Sequence, residues 1–159
     1  MKSIIVTVAI IITGYITKAQ VKVDETAPEI SLPAAKGTVT KLSSFRGKVV
    51  LVDFWASWCG PCRASMPKVL AIYKKYKAQG FEVFGVSIDT KKNEWLKAIS
   101  QDKTNYTQVI DVGGFYSPVA EKYGLDQIPT SFLLDKTGKI IAVDLEGKQL
   151  ENKIKELLQ

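Results

Sequence analysis

Two nearly continuous apolar segments dominate the pattern of this chain, residues 48–55 (KVVLVDFW) and residues 81–88 (FEVFGVSI). Both are rich in β-branched and aromatic residues and are short. This is typical of strands that are covered on both faces of a sheet. We therefore predict two central strands, and Asp53 is the one acidic residue in the first of them.

Apolar residues between these two strands recur every three or four positions, which predicts an amphipathic helix that ends at Gly80 and contains Pro67. Its apolar positions are Met66, Val69, Leu70, Tyr73 and Tyr76. A second helix carries Trp95, and we expect Asp89 and Thr90 to cap its start.

The rest of the pattern predicts shorter elements. A small hairpin is expected within residues 29–42 and a weaker strand near residues 106–110. A short helix follows over 117–123, then two strands joined by a turn over 130–145, and a C-terminal amphipathic helix over 150–158. This order of strands and helices predicts a single α/β layered domain.

The N-terminus is typical of a targeting segment. Lys2 precedes an apolar run over residues 4–12 that is too short to cross a membrane as a helix. We predict a signal peptide over 1–19, with an uncleaved N-terminal anchor as the alternative, a flexible lead-in over 20–27 and the folded domain over 28–159. An exported protein would be periplasmic or in the cell envelope, where disulfides form and persist.

The composition limits the chemistry further, because the chain has two cysteines and no histidine. Without histidine there is no Ser-His or Cys-His nucleophile pair and no His-ligated metal site. We expect no metal and no cofactor. The net charge of +6 arises largely from lysines, several of them on one predicted helix, and a solvated helix face explains them better than a nucleic-acid surface.

The motif Trp58-Cys59-Gly60-Pro61-Cys62 follows the first buried strand and opens the first helix. Unpaired N–H groups at a helix start stabilise a thiolate, which favours Cys59 as the attacking sulfur. Cys62, three residues later, is within reach to resolve a mixed disulfide. A static disulfide is the alternative, but so small a ring stabilises a fold little.

Two further residues are candidates for this chemistry. Burial in an apolar strand would raise the pKa of Asp53 and suit it to act as general acid or base for the inner thiol; exposure at an edge or bulge is the alternative. Pro129 precedes a predicted strand. A cis bond there would turn the backbone of Ile128 toward the dithiol to pair with an extended substrate, whereas a trans bond is the statistical default.

The Trp58-Cys59-Gly60-Pro61-Cys62 motif, Asp53 before it and Pro129 after it together resemble the thioredoxin superfamily. The leading hairpin and the inserted helix near Trp95 resemble its exported TlpA-like (ResA-like) branch. The resemblance implies a thioredoxin-like fold: a central mixed sheet flanked by helices, with an N-terminal β-hairpin extension and an inserted helix. It also implies a thiol-disulfide oxidoreductase with Cys59 as nucleophile, Cys62 resolving, Asp53 as buried acid and Pro129 cis. Expected substrate contacts are Trp58, Gly60, Pro61, Ile128 and Pro129.

Two positions depart from the patterns of this superfamily. By register, the place of a lysine near the buried acid of thioredoxins falls here on Gly85. Some TlpA-like reductases of cytochrome c maturation carry a glutamate where this chain has Ser65. The resemblance therefore indicates dithiol chemistry more strongly than any one pathway.

The leading hypothesis is a reductase of disulfides in exported proteins, serving cytochrome c maturation or general redox homeostasis of the envelope and re-reduced by a membrane electron donor. We expect no nucleic-acid partner, and membrane contact only if the N-terminal segment is uncleaved. One alternative is a thiol peroxidase of the peroxiredoxin-related branch, although Ala56 stands where that branch has Thr or Ser. Another is a non-catalytic carrier of copper or a haem precursor that uses the two thiols.

Overall fold

The computed structural model describes residues 21–159, so the predicted signal peptide lies outside the described residues. The strands in this part of the chain are β1 (Ser31–Pro33), β2 (Val39–Lys41), β3 (Val49–Trp55), β4 (Phe81–Ser87), β5 (Thr107–Ile110), β6 (Thr130–Leu134) and β7 (Ile140–Val143). Its α-helices are α1 (Gly60–Tyr76), α2 (Lys92–Asp102), α3 (Pro118–Tyr123) and α4 (Gly147–Leu158).

Strands β3 to β7 form one mixed sheet in the order β5-β4-β3-β6-β7. The two strands predicted from apolar runs, β3 and β4, are parallel neighbours at its centre, and β6 pairs with β3 in the antiparallel sense. Strands β1 and β2 form the separate N-terminal hairpin. The predicted thioredoxin-like α/β fold is therefore confirmed, including the hairpin and the inserted helix α2.

The two faces of the sheet pack against different helices, because side chains alternate along each strand. The face that carries Leu51, Val83 and Leu133 packs against apolar residues of α1 and α4. The opposite face carries Phe54 and packs against α3, where Tyr123 lies 5.1 Å from the Phe54 ring centroid. Asp53 alternates with Phe54 and so belongs to the face beneath α1 and α4.

The helices begin and end close to the predicted positions. Helix α1 runs through Pro67, and a short 3₁₀ segment, Lys77–Gln79, leads to Gly80, whose φ of 100° suits glycine. Ser117 caps α3, since its Oγ accepts the N–H of Ala120 at 3.0 Å. No helix within residues 21–159 is long and apolar enough to cross a membrane.

Residues 21–27, predicted as a flexible lead-in, make backbone hydrogen bonds to the β6–β7 turn and to β7: Asp24 N–H donates to the Ile140 carbonyl at 2.8 Å, and Ala27 N–H to the Gly138 carbonyl at 3.0 Å. These bonds join backbone atoms and need no apolar side chains, so a polar sequence gave no sign of them. The predicted cap of α2 is wrong, because Lys91 holds that position without a side-chain bond, whereas Asp89 is buried.

Candidate active site

The two cysteines lie at the start of α1, immediately beyond the carboxyl end of β3. They form a disulfide with a Cα–Cα distance of 5.3 Å. Cys59 is the N-cap residue of the helix, and its Sγ accepts the backbone N–H of Cys62 at 3.2 Å. An N–H group that the helix leaves unpaired therefore points at the outer sulfur, which is the environment that stabilises a thiolate.

The residues around the disulfide differ in exposure. Trp58 is 59% exposed, and Gly60 and Pro61 are also exposed at the first two positions of α1. Cys59 and Cys62 are themselves only 5% and 2% exposed. The exposed surface next to the two buried sulfurs is therefore formed by the Trp58 side chain and the Gly60-Pro61 turn.

Asp89 holds the segment before the disulfide in place, a role that the sequence analysis missed. Its carboxylate accepts the Ser57 N–H at 2.9 Å, the Ser57 hydroxyl at 2.6 Å and the Ser87 hydroxyl at 2.6 Å. The residue directly before Trp58 is thereby fixed to the end of β4. The only signal in the sequence was an acid at the end of a buried strand, and that position also suits a helix cap.

Pro129 lies at the same end of the sheet as the disulfide. The Ile128-Pro129 peptide bond is cis, as the resemblance implies. Pro129 directly precedes β6, where Thr130 pairs with Phe54 near the end of β3. The Thr130 hydroxyl donates to the Gln127 carbonyl at 3.0 Å, and Ile128 packs against the core.

Asp53 is buried on the face of β3 beneath α1, with 8% of its surface exposed. Removal from water disfavours its charged form, and the negative charge of Asp144 opposes it further. Together these effects raise the pKa of Asp53 from an ordinary 3.8 to about 7. The expectation of a buried, desolvated carboxyl rather than an exposed one agrees with this geometry.

A cavity of about 340 Å³ lies between α1, β6 and the start of α4, and both Asp53 and Pro129 line it. Ser65 and Lys68 of α1 also line it, as does Asp144, which follows β7. Ser65 donates its hydroxyl to the Cys62 carbonyl at 2.8 Å. Polar side chains therefore lie among the apolar residues that line the cavity beside the buried acid.

The register of the sheet places Gly85 directly beside Asp53, as the sequence analysis inferred. A side chain from β5 occupies the space that a larger residue would fill: a Cβ on Gly85 would lie 2.5 Å from Gln108 Oε1. Gln108 Oε1 accepts the indole N–H of Trp55 at 2.9 Å. Gln108 Nε2 is buried and has no hydrogen-bond partner within the described part of the chain. On the β4 side of the buried acid, the space over Gly85 is therefore filled by a neutral amide and not by a cation.

Groups of three or more His, Cys, Asp or Glu side chains that could hold a metal ion are not found in residues 21–159. The groups that the fold assembles at this site are a dithiol in its oxidised form, a buried carboxyl and a cis proline. Such an arrangement can accept or donate two electrons through sulfur and move protons through the carboxyl.

Known proteins that are similar to this chain include thiol-disulfide oxidoreductases. The family model described as Redoxin matches residues 22–158. The thiol-disulfide oxidoreductase ResA of Bacillus thuringiensis subsp. konkukian is 33% identical over 147 residues, which cover 92% of this chain and 83% of the relative. The thiol-disulfide oxidoreductase ResA of Geobacillus kaustophilus is 36% identical over 131 residues, 82% of this chain and 74% of the relative.

Solved structures are similar over most of the fold. The thioredoxin domain of a thiol-disulfide oxidoreductase from Bacteroides vulgatus superposes with a TM-score of 0.82 at 35% identity, covering 88% of this chain and all of that domain (100%). A thiol-disulfide oxidoreductase from Bacteroides fragilis superposes with a TM-score of 0.79 at 38% identity, covering 84% of this chain and 99% of that chain.

Proposed function

This chain belongs to the Redoxin family and is a thiol-disulfide oxidoreductase, and we propose that it reduces the disulfides of exported proteins through Cys59 and Cys62. The observation that carries the proposal is the position of the disulfide at the start of α1, with the Cys62 N–H directed at Cys59 Sγ at 3.2 Å. A buried acid on the adjoining strand supports it.

The reaction starts from the reduced dithiol. The Cys59 thiolate attacks one sulfur of the substrate disulfide, that bond breaks, and the first substrate sulfur leaves as a thiolate and takes up a proton. Asp53, in its ionised form, accepts the proton of the Cys62 thiol, directly or through a water. Cys62 then attacks Cys59 Sγ and releases the second substrate sulfur. Two electrons have passed to the substrate, and the Cys59–Cys62 disulfide remains.

Asp53 is suited to this role because a carboxyl with a pKa of about 7 changes protonation state readily near neutral pH. Trp58, Gly60 and Pro61 form the surface that meets the substrate, and their exposure supports this. Ile128 and Pro129 complete the binding surface on the β6 side.

The setting of the reaction is part of the same proposal. Residues 1–19 act as a signal peptide, so the substrates are disulfide-containing proteins of the periplasm or cell envelope. An oxidising compartment does not keep a dithiol reduced, so a membrane electron donor must re-reduce it. Ser65 offers no carboxyl to the cavity, which favours general envelope substrates over apocytochromes alone.

The test is to trap the mixed disulfide with a Cys62→Ser variant in the cell envelope and to identify the attached proteins. We expect Cys62→Ser to accumulate thiol-sensitive adducts and the matched Cys59→Ser variant to accumulate none. Purified wild type should reduce insulin disulfides with a dithiol donor. If neither variant forms adducts, or if the potential of the protein is more oxidising than that of the glutathione couple, the proposed reductase role is wrong.

The two alternative functions, a peroxidase and a copper carrier, predict different results with the same purified proteins. A peroxidase would consume peroxide through Cys62→Ser far faster than a free thiol does. A carrier of copper would retain Cu(I) against a competing chelator and fail to reduce insulin.

A further inference from the structure

A row of residues crosses the sheet at the level of Asp53, on the face beneath α1 and α4. The register pairs Gln108 with Gly85, Gly85 with Asp53, and Asp53 with Ser131. Asp144, which follows β7, continues the row by two hydrogen bonds to Ser131. Beyond its direct neighbours Gly85 and Ser131, the buried acid therefore has a neutral amide on one side of the row and a second carboxyl on the other.

The backbone fixes Asp144 in this position. Its N–H donates to the Ser131 carbonyl at 2.9 Å, and its Oδ1 accepts the Ser131 N–H at 2.7 Å. Its φ of 53° lies in the left-handed region, which aspartate and asparagine tolerate better than most residues. Asp144 is exposed to solvent, yet it lines the same cavity as Asp53.

We propose that Asp144 is a positioning residue for the proton chemistry of Asp53: its carboxylate, held against Ser131 on the wall of the shared cavity, opposes the ionisation of the buried acid. The functional part of this inference rests on the disulfide reduction proposed above. The electrostatic part concerns the oxidised protein alone.

Other charged or titratable groups face Asp53 from each neighbouring element. Lys68 lies on the α1 wall, and Glu146 lies on the wall before α4. Tyr106, which directly precedes β5, stays neutral because burial, and next to it the charge of Asp53, raises the pKa of its hydroxyl. Among these groups Asp144 is the one whose carboxylate is bonded to the residue paired with Asp53. Its charge is also the second cause, after burial, of the raised pKa of Asp53.

The size of the effect follows from the spacing of the strands. Asp144 follows a strand two places from β3, and neighbouring strands lie about 4.8 Å apart, so the two backbone positions are roughly 10 Å apart. Two unit charges at that separation change a pKa by roughly 0.3 to 1 pH unit as the effective dielectric constant falls from about 80 to about 20.

The test is Asp144→Asn, which keeps an oxygen for the Ser131 N–H and suits the left-handed backbone while it removes the charge. The Asp53 carboxyl is titrated by ¹³C NMR in the oxidised protein, where the cysteines do not titrate. We expect its midpoint to fall by roughly 0.3 to 1 pH unit. Glu156→Gln, which makes the same change in charge at an exposed position outside the cavity, should leave it in place.

Salt provides a second measurement. Asp144 is exposed, so about 1 M salt should screen its charge and shrink the difference in the Asp53 midpoint between wild type and Asp144→Asn. An unchanged midpoint in Asp144→Asn with an intact Ser131 amide signal would overturn the inference. So would a difference in midpoint that the salt leaves undiminished.

Activity then separates this inference from the proposed function. In insulin reduction, the acid limb of the pH profile should move to lower pH in Asp144→Asn but show no such movement when Asp53→Asn is also present. A protein that shows the NMR shift without reducing disulfides would refute the proposed function and leave the electrostatic role of Asp144 standing.

Discussion

Replacing Asp53 with asparagine should stabilise the oxidised protein, and the gain should grow with pH. In the folded chain the pKa of Asp53 is raised from 3.8 to about 7, chiefly by burial. Below pH 3.8 the carboxyl is protonated in both the folded and unfolded states and costs nothing. Between pH 3.8 and 7 the unfolded chain releases the proton and the folded chain keeps it, so stability falls as pH rises.

The magnitude follows from that difference in pKa. About 3 pH units at about 1.4 kcal/mol each give a cost of about 4 kcal/mol above pH 7. About 3 kcal/mol of this cost develops between pH 4.5 and pH 8, because part of it is already present at pH 4.5. Asparagine does not ionise, so the variant does not carry the pH-dependent part of this cost in stability.

The assay is urea unfolding of oxidised wild type and Asp53→Asn at several pH values from 4.5 to 8. The free energy of unfolding of the variant minus that of the wild type should increase by about 3 kcal/mol from pH 4.5 to pH 8. Asp126→Asn is the matched control: Asp126 is exposed, so the difference in free energy of unfolding between this variant and the wild type should not change with pH. A difference for Asp53→Asn that does not change with pH, or that increasingly favours the wild type as pH rises, would refute the reasoning.

Three further substitutions test the contacts around the site by urea unfolding. Gly85→Ala should cost about 1–3 kcal/mol, because the new Cβ would lie 2.5 Å from Gln108 Oε1; a neutral result would mean that the amide can move aside without loss. Asp89→Ala should cost about 2–3 kcal/mol, since it removes the acceptor of both Ser57 bonds, and its reductase activity should fall; normal activity would show that this anchor is dispensable. Ser117→Ala should cost about 1 kcal/mol through the lost cap of α3, and a change within error would contradict that cap.

Local sequence determined much of this protein. The apolar runs predicted β3 and β4 because a strand that is buried on both faces has few polar positions to interrupt its run of apolar residues. The Cys-Gly-Pro-Cys segment directly before a helical pattern placed both thiols at a helix start, since that geometry depends only on adjacent residues. A single acid in an apolar strand was enough to predict a buried Asp53.

The tertiary structure decided what depends on pairing between distant segments. Asp89 looked like a helix cap, but the fold turns its carboxylate to Ser57, which lies 32 positions away in the chain. Gln108 fills the space over Gly85 only because β5 pairs with β4 in one particular register. Asp144 reaches the neighbourhood of Asp53 only because β6 lies between β3 and β7. Composition and spacing could identify the dithiol and its acid, but the charges and contacts that tune them depend on which strands become neighbours, and no local pattern encodes that.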